Sequence, residues 1–354
     1  MWRMVHLPKD ENETWLIYAL GGGWGHLNRA LSLGRIAARY RRVEIITNSP
    51  YAHHLLLQPK PSSAPEISGC HIHFISPTAG LESTCQQVEQ ILCNTNYNCL
   101  IVDTFPRGLG GELVKILPQL ESIPRIFIHR DLNPEYVQVK NLHSFVQQHF
   151  NTIIVPGEGV DLPLADLPGV QHTLPWIIRN PEELPELKTA RSLLQLNQLD
   201  NPVVVVCAAG NLVEQPFFTN LATQLTTAFP HIAIRHLSPH SPAHINHYPG
   251  IECLLAADAV IGGAGYNTVY ECAALGVPLV AFALPRIYDR QQRRLQRDNL
   301  ANCVWGVDNS KEAIAAIQKI LSMRSPKPHS CPYYQNGAIQ AEQLIRTTLV
   351  KFGF

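Results

Sequence analysis

Short apolar runs recur along the first part of the chain, and each has the length of a buried strand. These runs lie at residues 14–20, 43–47, 99–103, 125–129 and 152–155. Residues 27–40 place leucine, isoleucine and alanine at helical spacing, and residues 110–117 repeat that spacing between two later runs. Strands that alternate with helices predict a parallel sheet that is covered on both faces.

The same pattern restarts after residue 202. Apolar runs at residues 203–207, 232–236, 259–261 and 279–284 predict four strands, and a helix is predicted after the first of them. The third run leads into a helix that is predicted to begin near Asn267 or Thr268, which are good N-cap residues, and to stop at Gly276. A last helix is predicted over residues 337–350. The chain therefore contains a second predicted α/β domain.

Residues 156–202 separate the two patterns, because they hold many prolines and acidic residues and show no long period. We therefore predict a first domain over residues 1–160, an interdomain connection over 161–200 and a second domain over 201–336. The length of 354 residues fits two domains of ordinary size.

Composition and charge argue against several classes of function. The formal net charge is zero, so nothing indicates a nucleic-acid partner. The apolar runs are far shorter than the roughly 18 residues of a membrane span, and the polar N-terminal segment lacks a signal-peptide core. Nine scattered cysteines form no C-x-x-C pair, which favours reduced thiols and a cytoplasmic protein. We predict no metal site, because Cys70, His71 and His73 lie on one predicted strand and such spacing is usually coincidental.

A glycine-rich loop at residues 21–25 follows the first predicted strand and ends at His26. A dinucleotide-binding G-x-G-x-x-G motif does not fit, because His26 and Asn28 occupy the positions where its last glycine would stand. No G-K-[ST] sequence indicates a P-loop either. An imidazole at the carboxyl edge of the sheet could accept a proton from a hydroxyl at neutral pH. Helix capping or loop packing is the alternative role for His26.

Asp103 ends another buried strand and is predicted at the same edge of the sheet. Ligands of open α/β sheets bind outside the carboxyl ends of the strands. Asp103 is therefore a second candidate for the base, or for a residue that binds an acceptor. The alternative is that its carboxylate only caps the turn of the loop that follows.

A second glycine-rich loop precedes the predicted helix near residue 267. The N–H groups and the dipole of a helix N-terminus favour an anion, so this loop predicts an anion site. Glu271 lies about one turn into the helix, where it could accept hydrogen bonds from sugar hydroxyls. Complementing the helix dipole is the alternative. The residues predicted to line the anion site are Gly263, Ala264, Gly265, Asn267 and Thr268.

This second loop and the segment after it resemble the donor-binding segment of family 28 glycosyltransferases of the GT-B fold, which include the peptidoglycan N-acetylglucosaminyltransferase. The resemblance implies that Glu271 holds the ribose of a nucleotide-sugar and that a later polar run reaches the transferred sugar. The residues that match this later run are Asp289, Arg290, Gln291 and Gln292.

The resemblance also implies partners for the donor phosphates. Arg179 matches an arginine that the family places near them, and Gly210 and Asn211 are expected to offer backbone N–H groups. One departure weakens the match, because residues 207–211 lack the hydroxyl side chains of the family's phosphate loop.

The first loop is similar to the histidine-ended loop of the same glycosyltransferases. It is also similar to the G-x-G-H-x-x-R pattern of related nucleotide-sugar hydrolases. In this chain the pattern and the residue inside it are Gly23, Trp24, Gly25, His26 and Arg29. The resemblance to the glycosyltransferases implies that the loop lies on the acceptor side of a sugar-transfer site, whereas the second pattern favours a nucleotide-sugar hydrolase or epimerase.

The resemblance implies two Rossmann-like domains that face a cleft, with the donor on the second and the acceptor on the first. The last helix, 337–354, is then expected to pack back on the first domain. The implied reaction is inverting transfer of a sugar from a nucleoside diphosphate, most simply UDP, to a hydroxyl. No Asp-x-Asp triplet occurs in the sequence, which favours metal-independent transfer, and we predict no cofactor.

The sequence does not decide whether the acceptor is a glycan, a lipid or a small molecule, and it leaves room for peripheral contact with a membrane. Two other classes of function also stay open. The first is a nucleotide-sugar hydrolase or epimerase, and the second is a protein that binds the donor without catalysis.

Several arginines cluster around one further predicted helix. We predict that most of them form its solvated face, since charge runs of this kind usually do. Only Arg290 has a predicted role in binding, through the run that resembles the family. The cluster comprises Arg286, Arg290, Arg293, Arg294 and Arg297.

Overall fold

A computed structural model describes residues 10–57, 69–159, 162–196, 202–297, 300, 303–323 and 333–354. The chain forms two compact units. The first comprises Met1–Trp176 and Asn336–Phe354, and the second comprises Ile177–Gln335. Each unit is built on one sheet in which every strand pair is parallel. The prediction of two parallel-sheet α/β domains is confirmed.

The sheet of the first unit has seven strands in the order β3-β2-β1-β4-β5-β6-β7. Its central strands are buried and mostly apolar, because helices cover both faces of a parallel sheet, and their charged residues, Asp103 of β4 and Arg125 of β5, lie at strand ends. The strands are β1 Asp10–Tyr18, β2 Arg41–Thr47, β3 His71–Phe74, β4 Cys99–Asp103, β5 Arg125–Ile128, β6 Thr152–Pro156 and β7 Val170–Thr173. The helices before β7 are α1 Trp24–Ala37, α2 Ala52–Leu57, α3 Leu81–Asn94, α4 Leu113–Ile116, α5 Pro134–Val139 and α6 Leu142–His149.

The sheet of the second unit has five strands in the order β12-β11-β10-β8-β9. They are β8 Val203–Cys207, β9 Ala233–Leu237, β10 Ala259–Gly263, β11 Leu279–Phe282 and β12 Val304–Gly306. The helices are α7 Leu187–Leu193, α8 Gln215–Ala228, α9 Ile251–Leu254, α10 Tyr266–Leu275, α11 Gln291–Leu295 and α12 Ser310–Ser322.

Strand register determines which loops meet at the carboxyl edges of the two sheets. In the first unit, Tyr18 of β1 pairs with Val102 of β4, so the glycine-rich loop after β1 lies beside Asp103. In the second unit, Gly262 of β10 pairs with Cys207 of β8, so the loops that follow these two strands are also neighbours. Each unit therefore brings two of the predicted loops together.

The boundaries between the two units differ from the predicted domain boundaries. Part of the predicted connection over 161–200 forms β7 at the edge of the first sheet, and another part forms α7 of the second unit. Residues 160–161 and 197–201 lie outside the described part of the chain. A short strand in a proline-rich stretch carries little periodicity, which is why the sequence did not indicate β7.

The last helix, α13 Gly337–Lys351, belongs to the first unit. It packs along α1, and its Glu342 accepts a hydrogen bond from the buried Arg41 at 2.8 Å. Its first residue has no room for a side chain, because a Cβ on Gly337 would lie 1.7 Å from the carbonyl oxygen of Leu174. The amide of Gly337 donates to the carbonyl of Pro175 at 2.9 Å.

Helix α10 begins at Tyr266, slightly before the predicted start near Asn267 or Thr268. Gly265 is its N-cap in an extended conformation, and Asn267 and Thr268 lie in the first turn rather than at the cap. The predicted end is confirmed, since Gly276 adopts the left-handed conformation with φ 64° that helix C-termini often require.

Among the described residues, no helix combines the length and the apolar character that crossing a membrane would require.

Candidate functional site

The candidate base lies at the carboxyl edge of the first sheet. His26 lies in the first turn of α1, and Asp103 is the last residue of β4. Nδ1 of His26 lies 2.6 Å from Oδ2 of Asp103, whose side chain is buried. The sequence offered these two residues as alternatives, whereas the structure joins them as a hydrogen-bonded pair.

Arg29 holds the carboxylate of Asp103 in place. Its Nε donates to Oδ1 at 3.0 Å and its Nη2 donates to Oδ2 at 2.7 Å, in the bidentate geometry that suits a guanidinium. Burial by itself would raise the pKa of Asp103, but the charge of Arg29 and the hydrogen bond from His26 outweigh it and hold that pKa well below its usual range. Asp103 is therefore ionised at neutral pH and is a weak proton acceptor.

His26 is the better proton acceptor of the pair. An ionised carboxylate can only accept, so Nδ1 of His26 donates to Asp103 and the lone pair of the neutral ring is on Nε2. Burial lowers the pKa of His26 from its ordinary value of 6.5, although Asp103 partly opposes that effect. The ring is thus neutral at pH 7, with a basic nitrogen that is not used by Asp103.

Gly21 provides the space for this ring. A Cβ on Gly21 would lie 2.1 Å from Cδ2 of His26 and 2.5 Å from Nε2. Any other residue would push the imidazole away from Asp103. The sequence showed several glycines in this loop but did not indicate which of them the histidine requires.

The residue after Asp103 has an unusual backbone conformation. Thr104 has φ 68°, although β-branched residues rarely adopt positive φ and such strain is of the order of 1–3 kcal/mol. The amide of Phe105 donates to the carbonyl of Asp103 at 2.8 Å, which makes the turn tight. Phe105 then stacks on His26 with 5.4 Å between ring centroids. The strained turn therefore places an apolar ring against the candidate base.

A buried carboxylate organises the rest of this loop. The hydroxyl of Tyr18 donates to Oε1 of Glu112 at 2.6 Å, and the amide of Gly110 donates to Oε2 at 2.9 Å. Gly108 has φ 84°, and a Cβ there would lie 2.4 Å from the same carboxyl group. No signal in the sequence links Tyr18 to Glu112, because strand pairing and not local spacing brings them together.

The other residues of the first glycine-rich loop surround the start of α1. Gly23 is its N-cap, and the carbonyl of Gly23 accepts a hydrogen bond from Ser49 at 3.2 Å. Trp24 stacks on Tyr51 with 4.6 Å between centroids and an angle of 7° between the rings. Gly25 lies next to Arg29, since a Cβ there would be 3.6 Å from Nη1 of that arginine.

In the second unit, the glycine loop before α10 lies against the end of β8. A Cβ on Gly262 would come within 3.0 Å of the carbonyl oxygen of Cys207, so the two strands meet closely. Burial, and then the charge of Glu271, raises the pKa of the Cys207 thiol to about 11, while a hydrogen bond involving Thr268 opposes this. Thr268 and Glu271 therefore both lie beside the carboxyl end of β8.

Arg294 connects this loop to the polar run before α11. It is 1% exposed, its Nη1 donates to the carbonyl of Ala264 at 2.8 Å, and its Nη2 lies 2.8 Å from Oδ1 of Asp289. The prediction that the arginines of this segment form a solvated helix face is wrong for Arg294. It is also wrong for Arg286 and Arg297, because α11 spans only Gln291–Leu295.

The other residues of the polar run have different surroundings. Oε1 of Gln291 accepts a hydrogen bond from the amide of Leu284 at 3.0 Å, so this buried side chain supports the loop after β11. Arg290 is half-buried at the N-terminus of α11, and Gln292 is exposed.

A carboxylate from the protein itself lies at the predicted phosphate loop. Oε2 of Glu214 accepts a hydrogen bond from the amide of Asn211 at 3.1 Å, and it would lie 2.3 Å from a Cβ on Gly210. Nη1 of Arg286 is 2.5 Å from Oε1 of Glu214. Glu214 thus occupies the hydrogen-bonding position at the Asn211 amide, and the binding of donor phosphates by this loop stays a prediction.

Arg179 is also buried in the second unit. Its Nε donates to Oε1 of Glu252 at 2.7 Å, and Oε2 of Glu252 lies 2.8 Å from Nε2 of His247. Tyr334 donates to the carbonyl of Arg179 at 2.7 Å. The guanidinium is thus paired with a carboxylate, which the sequence did not indicate.

Solved structures resemble the whole chain at low sequence identity. The glycotransferase of kitacinnamycin matches with a TM-score of 0.62 and 14% identity, over 95% of this chain and 99% of its own. The spinosyn rhamnosyltransferase SpnG, complexed with thymidine diphosphate, matches with a TM-score of 0.58 and 14% identity, over 96% and 99%. The fold is GT-B.

The GT-B fold also occurs with other chemistry. UDP-N-acetylglucosamine 2-epimerase from Rickettsia bellii matches this chain with a TM-score of 0.58 and 10% identity, over 96% of each chain. No protein-family model and no curated protein matches the sequence. The function of this GT-B chain must therefore be argued from its site and not from its fold.

Proposed function

We propose that the protein transfers a sugar from a nucleoside diphosphate to an acceptor hydroxyl. The observation that carries this proposal is the 2.6 Å contact between His26 and Asp103. It gives the first unit an oriented base at the carboxyl edge of its sheet, where α/β folds bind their ligands. The second unit adds a glycine loop and a helix N-terminus, which suit a diphosphate.

In the proposed reaction, Nε2 of His26 takes the proton of the acceptor hydroxyl while that oxygen attacks the anomeric carbon. The bond from this carbon to the diphosphate oxygen breaks, and the electron pair leaves with the nucleoside diphosphate. A single displacement of this kind inverts the configuration. Asp103 does not take the proton but stabilises the imidazolium that forms, as carboxylates do in other histidine-base enzymes.

The second unit is proposed to bind the donor without a metal ion, most simply a UDP-sugar. Glu271 would accept hydrogen bonds from the ribose hydroxyls, and the N-terminus of α10 would face the diphosphate. The diphosphate would replace Glu214 as the partner of Arg286 and of the Asn211 amide. Arg286 would then offset the negative charge of the leaving group.

Binding of the donor can be tested by thermal shift with UDP, GDP, ADP and dTDP. A ligand that binds only the native state at about 100 times its Kd stabilises it by about 2.7 kcal/mol. We expect one nucleotide to raise the Tm of the wild-type protein and to have a much smaller effect on Glu271→Ala. Glu271→Gln is the control of similar shape. The absence of a shift with all four nucleotides would contradict the proposed donor site.

The proposed base also predicts how activity depends on pH. Because burial lowers the pKa of His26 below 6.5, and only the neutral ring accepts a proton, kcat/KM should fall on the acid side with an apparent pKa below 6.5. Asp103 raises the pKa of His26, so Asp103→Asn should move this acid limb to still lower pH. If the acid limb of the kcat/KM profile stays at the same pH in Asp103→Asn, a group other than His26 causes the decrease in activity.

A nucleotide-sugar epimerase or hydrolase is the second candidate. It is favoured by the G-x-G-H-x-x-R pattern at residues 23–29 and by the likeness in fold to an epimerase. The two candidates differ in what happens without an acceptor. Proton NMR of the protein with UDP-N-acetylglucosamine or UDP-glucose alone would show a new sugar epimer or free sugar for the second candidate. An intact donor, consumed only when an acceptor is added, would support the transferase.

A further inference from the structure

Three side chains of metal-ligand type converge on the edge of the first sheet, away from the candidate base. Strands β2 and β3 pair so that Glu44 lies opposite His71 and Ile46 lies opposite His73. Because side chains alternate along a strand, His71 and His73 project from the same face as Glu44. We call Glu44, His71 and His73 the edge cluster.

The distances within the edge cluster are short. Nε2 of His73 lies 2.6 Å from Oε2 of Glu44, and Nδ1 of His71 lies 3.9 Å from the same oxygen. One ligand atom from each of the three residues can be chosen so that all lie within 4.8 Å of one another. The hydrogen bond between His73 and Glu44 does not account for His71, because 3.9 Å is too long for a hydrogen bond.

We propose that the edge cluster is a binding site for a divalent transition-metal ion, and that Zn²⁺ is the ion it suits. Two imidazoles and one carboxylate are a donor set that zinc accepts. With ligand bonds of about 2.0–2.1 Å, tetrahedral geometry separates the donor atoms by roughly 3.3 Å. The separations observed from Oε2 of Glu44, 2.6 Å to His73 and 3.9 Å to His71, lie on either side of that value, and each of these two would have to change by less than an ångström.

The surroundings of the cluster also suit a metal ion. Glu44 is buried, whereas the side chain of His71 is 68% exposed and can adjust its position and admit the ion. Nη2 of Arg42 lies 3.4 Å from Oε1 of Glu44, the oxygen that the histidines do not approach, so it orients the carboxylate. Three protein ligands leave a fourth position for a water molecule.

Cys70 is not part of the site, although the sequence places it next to His71. Its Sγ would lie only 2.8 Å from a Cβ on Gly34, so this sulfur faces α1. On sequence alone only the two histidines of one strand are adjacent, and such a pair carries little weight. The sheet supplies Glu44 as the third ligand from 27 positions upstream of His71.

The position in the fold indicates what the ion would do. His71 begins β3, the edge strand of the sheet, whereas the candidate base follows the carboxyl ends of β1 and β4. An ion held by β2 and β3 would join the edge strand to its neighbour across the sheet. The site would therefore stabilise the first unit and take no part in sugar transfer.

The test is metal binding by the full chain after treatment with a chelator. Titration with Co²⁺ should give visible absorption bands of a low-symmetry site at one ion per chain, and calorimetry with Zn²⁺ should give the same stoichiometry. His71→Ala and His73→Ala should each weaken binding at least about tenfold, and Zn²⁺ should raise the Tm of the wild type but not of these variants. His143→Ala is the matched control, because in the described part of the chain His143 faces a single carboxylate, Asp166 at 3.2 Å.

Two outcomes would overturn the proposal. One is the absence of any Co²⁺ band or Zn²⁺ heat in the wild type. The other is binding that His71→Ala leaves unchanged. His71 is largely exposed, so its replacement is not expected to prevent folding, and near-ultraviolet circular dichroism of the metal-free variant would verify this. The outcome does not depend on the proposed sugar transfer.

Discussion

His26→Ala is expected to lower kcat for sugar transfer by about 10²–10⁴-fold, which is the usual contribution of a positioned general base. Nε2 of His26 is the proposed proton acceptor, and alanine leaves no basic group in its place. Donor binding should be unchanged, because the loops proposed to bind the donor belong to the second unit. The measurement is kcat with a saturating donor, accompanied by the nucleotide thermal shift as a control for folding.

Asp103→Asn separates the two candidate bases. If Asp103 only orients and stabilises His26, kcat of this variant should also fall by roughly 10²-fold or more. The remaining activity should still decrease on the acid side of the pH profile, at a lower pH than in the wild type. Its free energy of unfolding should fall too, since Arg29 would lose its charged partner in a buried position. Nearly full activity of His26→Ala together with an inactive Asp103→Asn would show that Asp103 is the base and that our assignment is wrong.

Arg294→Met is expected to lower the free energy of unfolding by about 3–5 kcal/mol, the usual effect of removing one partner of a buried ion pair. The variant would leave Asp289 and the carbonyl of Ala264 without the hydrogen bonds that Arg294 donates. The glycine loop before α10 and the run at 289–292 would lose their connection. Donor affinity should therefore fall as well, and urea denaturation with nucleotide titration would measure both effects.

Arg293→Met is the matched control for this prediction. Arg293 precedes Arg294 on the same short helix but is only partly buried, so its replacement should change stability by less than about 1 kcal/mol. Equal effects of the two variants would mean that the helix and not the buried arginine determines stability. If Arg294→Met binds the donor with unchanged affinity, Arg294 does not support the proposed donor site.

Long apolar strands were predictable because their pattern is local. The sequence located β4 and β8 with the bounds that the structure shows, since each is an uninterrupted apolar run. The edge strands β7 and β12 are only four and three residues long. Their pairing depends on neighbouring strands rather than on a period of their own, so no local signal distinguished them from loops.

The sequence indicated candidate residues for the site but not the contacts that these residues make. Glycine loops and strand ends indicated His26, Asp103 and Glu271. The contact between Arg29 and Asp103 was not predictable in this way, because it depends on the pairing of β1 with β4. A charged side chain looks solvated in sequence whether it is exposed or buried in an ion pair, which is why Arg294 was assigned to the surface. The contact of Glu214 was missed although Asn211 and Glu214 have the three-residue spacing of a capping box, in which the glutamate accepts a hydrogen bond from the N-cap amide.

The path of the chain has a consequence for the order in which the molecule can be assembled during synthesis. Helix α13 completes the first unit, but it follows the whole second unit along the chain. At about 5–20 residues per second, the ribosome needs on the order of 10–30 s to make the second unit. During that time the surface of α1 that α13 covers stays exposed to solvent. The first unit, although translated first, is therefore the last to finish folding.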